Sequence, residues 1–150
     1  MTHADDVTWM ERAIELSRKC PPVEGAFSVG AIIVGADGEE LAHGYSRETD
    51  AHVHAEESAL AKLPMDDPRL SGATIYSTLE PCSERKSRPL TCTQLILRSP
   101  IRRVVIAWRE PSFLVADCVG VETLRANDAE VVELPDLADL ARKANDHLLK

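Results

Sequence analysis

The sequence predicts an α/β fold of three layers, in which a mixed five-stranded β-sheet is sandwiched between helices. Three observations lead to this prediction. The pair Asp37-Gly38 lies between two short apolar segments, which is typical of a β-hairpin. After the hairpin, helical and strand patterns alternate to the end of the chain. A helix, rather than a tight turn, joins the last two strands, so we expect those two strands to be parallel.

The first helix is predicted from a capping-box pattern and from apolar periodicity. Thr8 and Glu11 have the capping-box spacing, and the apolar residues that follow recur at helical intervals. We expect this helix to run to about residue 19, because Pro21 and Pro22 cannot continue it.

The later elements follow from the same kinds of pattern. Short apolar runs bounded by turn residues predict strands at residues 29–34, 41–45, 73–79, 103–108 and 129–133. Helical periodicity predicts helices at residues 55–63, 92–97 and 120–126, and a last helix that Pro135 opens. The element order is therefore one helix, a hairpin, and then alternating helices and strands.

The composition describes an ordinary globular protein. The 150 residues fit a single domain, residues 1–150, and are enough to bury a core without disulfide bonds. No apolar run is long enough to cross a bilayer, and the first residues lack the pattern of a secretory leader. We therefore expect a cytoplasmic protein with no membrane partner.

The charge favours a small-molecule substrate over a nucleic acid. The formal net charge is −8, whereas a protein that grips a phosphate backbone needs a broad basic face. The four cysteines fit a metal site or buried apolar positions better than disulfide bonds, because thiols stay reduced in the cytosol.

Three residues at the predicted ends of elements form a zinc-site pattern. His54 precedes the second helix, Cys82 follows the third strand, and Cys92 begins the next helix. One imidazole and two thiolates are good zinc ligands, and a catalytic zinc uses three protein ligands with the fourth position left for water. The sequence therefore predicts Zn²⁺ as cofactor, with His54, Cys82 and Cys92 as its ligands.

Glu56 is the predicted catalytic residue. It lies two positions after His54 at the start of a helix, where both side chains can reach a metal beyond the helix end. Bound zinc lowers the pKa of its water to about 7, and a nearby carboxylate can take the proton. This arrangement suits the hydrolytic removal of an amine from an aromatic ring.

Each part of the pattern is weak alone. His-x-Glu is frequent, and the cysteines are farther apart than those of compact zinc sites. The combination of His-x-Glu with a later Pro-Cys is typical of zinc deaminases. A structural zinc with Cys20 or Cys118 as fourth ligand is the alternative, and it leaves Glu56 without a role.

Three stretches resemble the cytidine deaminase-like superfamily: VGA at residues 29–31, HAE at residues 54–56 and TLEPCS at residues 78–83. Within it, the sequence is most similar to the pyrimidine deaminase domain of riboflavin biosynthesis, and residues 101–131 strengthen the similarity. The resemblance covers roughly residues 8–133.

The resemblance implies a strand order of 2-1-3-4-5 and a homodimer or higher oligomer. It implies His54, Cys82 and Cys92 as ligands and Glu56 as proton shuttle. The backbone around Ala55 and the segment from residue 79 to Ser83 are expected to line the ring pocket. Bacterial riboflavin deaminases carry Asn-Pro before Val-Gly, where this chain has Ala26-Phe27-Ser28, so an asparagine that would contact the substrate is missing.

Several nearby residues have two interpretations. Phe27 and Trp108 either stack on a substrate ring or belong to the core. Glu80 either contacts the substrate or fixes its loop by bonding backbone amides. Arg85 and Arg88 lie between the cysteine ligands and either read a substrate phosphate or form a solvated surface.

Three functions follow from these observations. The first is deamination of a riboflavin-pathway-like aminopyrimidine, which carries a phosphate in one version of the hypothesis. The second is deamination of cytidine, deoxycytidylate or a cytosine-containing antibiotic nucleoside. The third is an inactive zinc-binding module that serves as an interaction partner, and an intact Glu56 weighs against it.

Overall fold

A computed structural model describes residues 2–21, 27–82, 89–109 and 119–145, and these residues form one sheet with helices on both faces. The helices are α1 His3–Ser17, α2 Ala55–Ala61, α3 Cys92–Arg98, α4 Gly120–Ala126 and α5 Ala138–Lys143. The strands are β1 Gly30–Val34, β2 Glu40–Tyr45, β3 Thr74–Leu79, β4 Arg103–Trp108 and β5 Glu130–Glu133. Two short 3-10 turns, Pro68–Leu70 and Pro135–Leu137, precede β3 and α5.

The five strands form a mixed sheet in the order β2-β1-β3-β4-β5. Strand β1 is antiparallel to both β2 and β3, whereas β3, β4 and β5 are parallel. The predicted order and the parallel pairing of the last two strands are confirmed. Because β1 runs against β3, its beginning lies beside the ends of β3 and β4. We call this border of the sheet the C-terminal edge.

Apolar side chains fill both faces of the sheet, which confirms the three layers. One cluster lies under α1 and α5, and the other lies under α2, α3 and α4. The first includes Met10, Ile14, Ile32, Tyr76 and Val105, and the second includes Ile33, Ile75, Ile96, Val104 and Leu124. Every residue of β3 is buried, so this strand lies at the centre of the molecule.

A partly buried ion pair fastens α1 to the sheet. Arg103 of β4 donates two hydrogen bonds to the Asp6 carboxylate, at 2.9 and 2.7 Å, and the Tyr76 hydroxyl donates a third at 2.7 Å. Burial alone would raise the pKa of Asp6, but the bonds from Arg103 and Tyr76 outweigh burial and hold the pKa below 3.8.

Helix α1 begins earlier than its sequence pattern predicts. Thr2 is the capping residue: its hydroxyl accepts from the Asp5 amide, and the Asp5 carboxylate accepts from the Thr2 amide. The capping box predicted at Thr8 and Glu11 is wrong, because Thr8 lies inside the helix and its hydroxyl donates to the Ala4 carbonyl. Aspartate here occupies the position of the usual glutamate.

The other deviations are small. Helix α2 ends at Ala61, two residues before the predicted end, and Pro135 opens a 3-10 turn that leads into α5. The predicted hairpin is confirmed, with Gly38 at a φ of 86° in the turn that only glycine adopts freely. Within the described ranges, no helix has both the length and the apolar character needed to cross a membrane.

Candidate metal centre

Three side chains meet at the C-terminal edge of the sheet. His54 is the capping residue of α2, Cys82 follows β3, and Cys92 is the first residue of α3. Their ligand atoms all lie within 4.8 Å of one another. The His54 Nδ1 atom is 3.6 Å from the Cys82 sulfur and 3.3 Å from the Cys92 sulfur. The three predicted ligands are therefore brought together from three separate elements.

These distances fit a zinc ion. Zinc–sulfur bonds of about 2.3 Å and zinc–nitrogen bonds of about 2.1 Å, at tetrahedral angles, place sulfur and nitrogen about 3.6 Å apart. Of the two observed separations, 3.6 Å matches that spacing and 3.3 Å is 0.3 Å shorter. Both are measured to Nδ1, so Nδ1 is the His54 atom that can hold the metal.

Local hydrogen bonds fix the two cysteines relative to each other. The Cys92 amide donates to the Cys82 sulfur at 3.2 Å, and the Thr93 amide donates to the Cys82 carbonyl at 3.1 Å. A capping box between Thr91 and Gln94 sets the start of α3, with amide contacts of 3.1 and 2.9 Å. The beginning of α3 is thereby tied directly to the residue that follows β3.

Hydrogen bonding shifts the pKa values of the two sulfurs in opposite directions. Hydrogen bonds from Cys92 and His54 lower the pKa of Cys82, against the opposing effect of burial. The same bond to Cys82, together with burial, raises the pKa of Cys92. The thiolate is the form that binds metals, so the lowered pKa of Cys82 favours metal binding.

Glu56 lies beside the ligands without joining them. It is the second residue of α2, its side chain is within hydrogen-bonding reach of Cys92, and only 4% of the residue is exposed. Burial raises the pKa of Glu56, although bonds with Cys92 and Ser77 act in the opposite direction. A buried carboxyl next to a metal position can both accept and return a proton.

Ser77 of β3 orients that carboxyl group. Its hydroxyl oxygen lies 2.6 Å from Glu56 Oε1 and 2.7 Å from the Leu79 carbonyl oxygen. A hydroxyl has one proton and two lone pairs. Ser77 can therefore donate to an ionised Glu56, or donate to Leu79 while accepting from a protonated Glu56, and it satisfies both forms.

The structure supports the loop-fixing interpretation of Glu80. Its carboxylate accepts from the Val121 amide at 2.9 Å, which fixes the start of α4 as the loop-fixing interpretation requires. A contact between Glu80 and a substrate stays a prediction. Ala55 is completely buried, so its side chain belongs to the core.

The aromatic candidates touch each other. The Phe27 ring packs edge-on against Trp108 with ring centroids 5.3 Å apart. Trp108 is largely buried, and Phe27 is partly buried against the α1 side of the core. Ser83, Arg85 and Arg88 lie outside the described residues, so their predicted substrate contacts stay predictions.

The structural-zinc alternative loses one of its candidate ligands. Cys20 is buried, and its thiol contacts the Val29 carbonyl at 3.5 Å, so it behaves as a small core residue. Among the described histidines, cysteines and acids, the cluster that can hold a metal contains His54, Cys82 and Cys92. Cys118 lies outside the described residues.

Two supporting features escaped the sequence prediction. The Thr91-x-x-Gln94 spacing is a capping-box pattern and marks the start of α3. Ser77 is a polar residue within a strand that is otherwise suited to a buried core, and such a residue needs a hydrogen-bond partner. Both signals are present in the sequence, but neither indicates which distant residue the side chain or helix end contacts.

The sequence matches a known family model over residues 3–108, that of the cytidine and deoxycytidylate deaminase zinc-binding region. It is 41% identical over 127 residues to a diaminohydroxyphosphoribosylamino-pyrimidine deaminase of Schizosaccharomyces pombe, across 83% of this chain and 31% of that protein. It is also 31% identical over 140 residues to a cytosine deaminase of Candida albicans, across 87% of this chain and 86% of that enzyme.

A solved structure shows the same architecture. Acinetobacter baumannii RibD superimposes with a TM-score of 0.82 at 33% identity, over 97% of this chain and 39% of the RibD chain. This chain thus spans about a third of the length of the riboflavin-biosynthesis relatives that it matches.

Proposed function

This chain belongs to the cytidine and deoxycytidylate deaminase family, and from that premise we propose that it is a zinc-dependent hydrolytic deaminase of a small pyrimidine-type substrate. One observation carries the proposal. The buried carboxyl of Glu56 lies beside three ligand atoms whose spacing fits zinc. The ligand set supplies a metal position, and Glu56 supplies a proton carrier next to it.

The residues of the site divide the reaction between them. His54, Cys82 and Cys92 would hold zinc, which when bound acts as a Lewis acid and lowers the pKa of a water molecule to about 7. Glu56 takes a proton from the attacking water and delivers it to the ring nitrogen as oxygen adds to the amino-bearing carbon. Glu56 then carries the proton of the added hydroxyl group to the amine, the carbonyl forms as the carbon–nitrogen bond breaks, and ammonia leaves.

The aminopyrimidine of a riboflavin-type pathway is the substrate class that we propose. The Schizosaccharomyces pombe relative is named for a phosphoribosylated aminopyrimidine, and it is 41% identical to this chain. A phosphate on the substrate would meet Arg85 or Arg88 if their loop lies beside the metal ligands, between which it is tethered in sequence.

Cytosine compounds are the second candidate class. The Candida albicans relative is a cytosine deaminase, and the alignment spans 86% of its length, whereas the riboflavin relatives extend well beyond this chain. A pocket for a free base and a pocket for a phosphoribosylated base differ in size and charge, so substrate preference separates the two classes.

We further propose a single domain, a homodimer and a cytoplasmic location. Family resemblance supports the homodimer, and one continuous sheet supports the single domain. The cytoplasm fits because Cys82 and Cys92 must stay reduced to bind metal. We propose no nucleic-acid partner, because a net charge of −8 opposes binding to a phosphate backbone.

Ammonia release from purified, zinc-loaded protein tests the function. The panel contains phosphorylated and dephosphorylated forms of the riboflavin-type aminopyrimidine, together with cytosine, cytidine and deoxycytidylate. Preference for the phosphorylated aminopyrimidine would support the first class, and preference for a cytosine compound would support the second. Zinc binding without ammonia release from any member would contradict the enzymatic proposal and favour an interaction module.

A further inference from the structure

An arginine in an uncommon backbone conformation lies just after β2. Arg47 has a φ of 62°, in the left-handed region that side chains other than glycine rarely adopt. Such conformations persist where the surroundings fix them, and they concentrate near functional sites. The Arg47 amide donates to the Val53 carbonyl at 2.8 Å, which closes the loop that leads to His54.

The guanidinium group of Arg47 contacts the chain before β1. Its Nε donates to the Pro21 carbonyl at 2.9 Å, its Nη1 to the Phe27 carbonyl at 3.1 Å, and its Nη2 to the Ser28 hydroxyl at 3.0 Å. All three acceptors are neutral oxygens, so these contacts are not an ion pair. The rigid fork of arginine suits several acceptors at once, whereas lysine offers a single point of attachment.

A buried asparagine holds the same segment from the opposite end of the sequence. Asn145, which is 1% exposed, accepts from the Ser28 amide at 2.5 Å and donates to the Ser28 carbonyl at 3.1 Å. Its side chain thus forms the two bonds that a neighbouring strand would form. Ser46 completes the set, because its hydroxyl accepts from the Val29 amide at 2.9 Å.

The segment held in this way, residues 27–29, lies at the C-terminal edge of the sheet. Phe27 packs on Trp108, the last residue of β4, which pairs with Leu79 at the end of β3. The Glu80 amide donates to the Trp108 carbonyl at 2.8 Å, and Cys82 follows two residues later. The ring of Phe27 is therefore connected, through one strand end, to the segment that carries a metal ligand.

Glu48, the residue after Arg47, contacts helix α2 and the residue that follows it. Glu48 accepts from the Ser58 hydroxyl at 2.6 Å and from the Lys62 ammonium group at 2.9 Å. Ser58 belongs to α2, the helix that begins after His54 and carries Glu56. Two consecutive residues of one loop thus contact the catalytic helix and the segment 27–29.

We propose that Arg47 and Asn145 are positioning residues for substrate binding, which hold the segment 27–29 so that Phe27 and Trp108 form one wall of the substrate pocket beside the metal ligands. The inference rests on the proposed deaminase function. Neither residue touches the reacting atoms. Both act through Ser28 and Phe27, so their loss should weaken substrate binding and leave the chemical step and the metal in place.

Arg47→Met is the main test, with Arg69→Met as its matched control. Arg69 is an exposed arginine that contacts Asp67, two residues away, so its loss should change little. For the substrate that the wild type deaminates fastest, we expect Arg47→Met to raise KM about tenfold while kcat stays within about threefold. Zinc content should match the wild type. Arg47→Lys, which keeps the charge but loses the fork, should raise KM by an intermediate factor.

Tryptophan fluorescence supplies a readout that does not depend on turnover. The chain has two tryptophans, so a Trp9→Phe background isolates the signal of Trp108. Releasing the segment 27–29 should uncover Trp108 and increase its quenching by acrylamide in Arg47→Met and in Asn145→Ala, but not in Arg69→Met. Ser28→Ala removes one acceptor of Arg47 and keeps the backbone bonds to Asn145. If Arg47→Met does not fold, Ser28→Ala takes its place in the test, and we expect it to raise KM by a smaller factor.

Two results would overturn the inference. One is a KM within about twofold of wild type in zinc-loaded Arg47→Met. The other is a fall in kcat with KM unchanged, which would place Arg47 in the chemical step. Failure of the proposed function looks different, because the wild type itself would then release no ammonia. In that case unchanged Trp108 quenching would still contradict the positioning role, whereas increased quenching would support the holding of the segment 27–29 by Arg47 and Asn145 and the absence of ammonia would overturn its role in substrate binding.

Discussion

Replacing Glu56 with glutamine distinguishes a proton carrier from a metal ligand. Glutamine keeps the size and shape of the side chain, and Ser77 can still donate to its amide oxygen, as it does to Glu56 Oε1 at 2.6 Å. The substituted side chain therefore stays satisfied in a position that is only 4% exposed. Because Glu56 lies outside the ligand cluster, we expect zinc content to remain about one per chain.

The expected loss of turnover follows from the role proposed for Glu56 and from its burial. General acid–base catalysis contributes about 10²–10⁴-fold, which corresponds to about 2.7–5.4 kcal/mol of barrier. Bulk water can replace an exposed base in part, but it reaches a buried position poorly. We therefore expect the kcat of Glu56→Gln to fall by about 10³–10⁴-fold, the upper half of that range.

The assay combines ammonia release with zinc analysis on the same preparation. Glu15→Gln, which removes an exposed carboxylate on α1, is the control and should match the wild type in both measurements. Loss of zinc from Glu56→Gln would show that Glu56 is a ligand and that the site is structural. Full zinc with unchanged turnover would show that another group moves the protons.

Three further substitutions test the metal, the ion pair and the close packing at the site. Cys92→Ser should lose most of its zinc and melt at a lower temperature, because metal binding contributes to folding free energy; full zinc occupancy would show that Cys92 is not a ligand. Asp6→Asn should lower the free energy of unfolding by about 3 kcal/mol at neutral pH, as measured by urea denaturation. Since the folded pKa of Asp6 is below 3.8, its stabilisation is present above about pH 4 and is lost as pH falls through that pKa; a difference that persists unchanged in more acidic solution would contradict the assignment. Gly120→Ala places a Cβ in steric conflict with the Pro81 carbonyl oxygen, so it should destabilise the protein by about 2 kcal/mol and weaken zinc binding at the adjacent Cys82. Wild-type melting and zinc affinity would refute that packing.

The cluster of possible metal ligands could be predicted because the residue types and positions of its members are both local signals. Cys82 follows an apolar run that reads as a strand, and His54 and Cys92 stand where helices begin. Ends of parallel strands meet at one edge of a sheet, so these residues had to lie near one another. The start of α1 could not be decided in the same way, because Thr2-x-x-Asp5 and Thr8-x-x-Glu11 both have capping spacing.

The contacts around the segment 27–29 could not be predicted, because they join distant parts of the sequence. Asn145 lies 117 residues from Ser28. Arg47 follows β2, whereas its three acceptors all precede β1, so the whole hairpin separates them in sequence. No periodicity or spacing encodes such pairs. Phe27 was identified only as an aromatic residue near a motif, and its partner Trp108 is set by the register of β3 and β4.

Strand β3 contacts both the proposed catalytic residue and the proposed wall of the substrate pocket, and it leads to the metal cluster. Ser77 orients Glu56, Leu79 pairs with Trp108, and the chain beyond the strand carries Glu80 and Cys82. Every residue of this strand is buried, with a paired strand on each side, so it cannot shift locally without disturbing the core. A change that loosens β3 should therefore reduce stability, zinc content and turnover together. The segment 27–29 is held mainly by side-chain hydrogen bonds, so releasing it should raise KM while kcat and zinc content stay near those of the wild type.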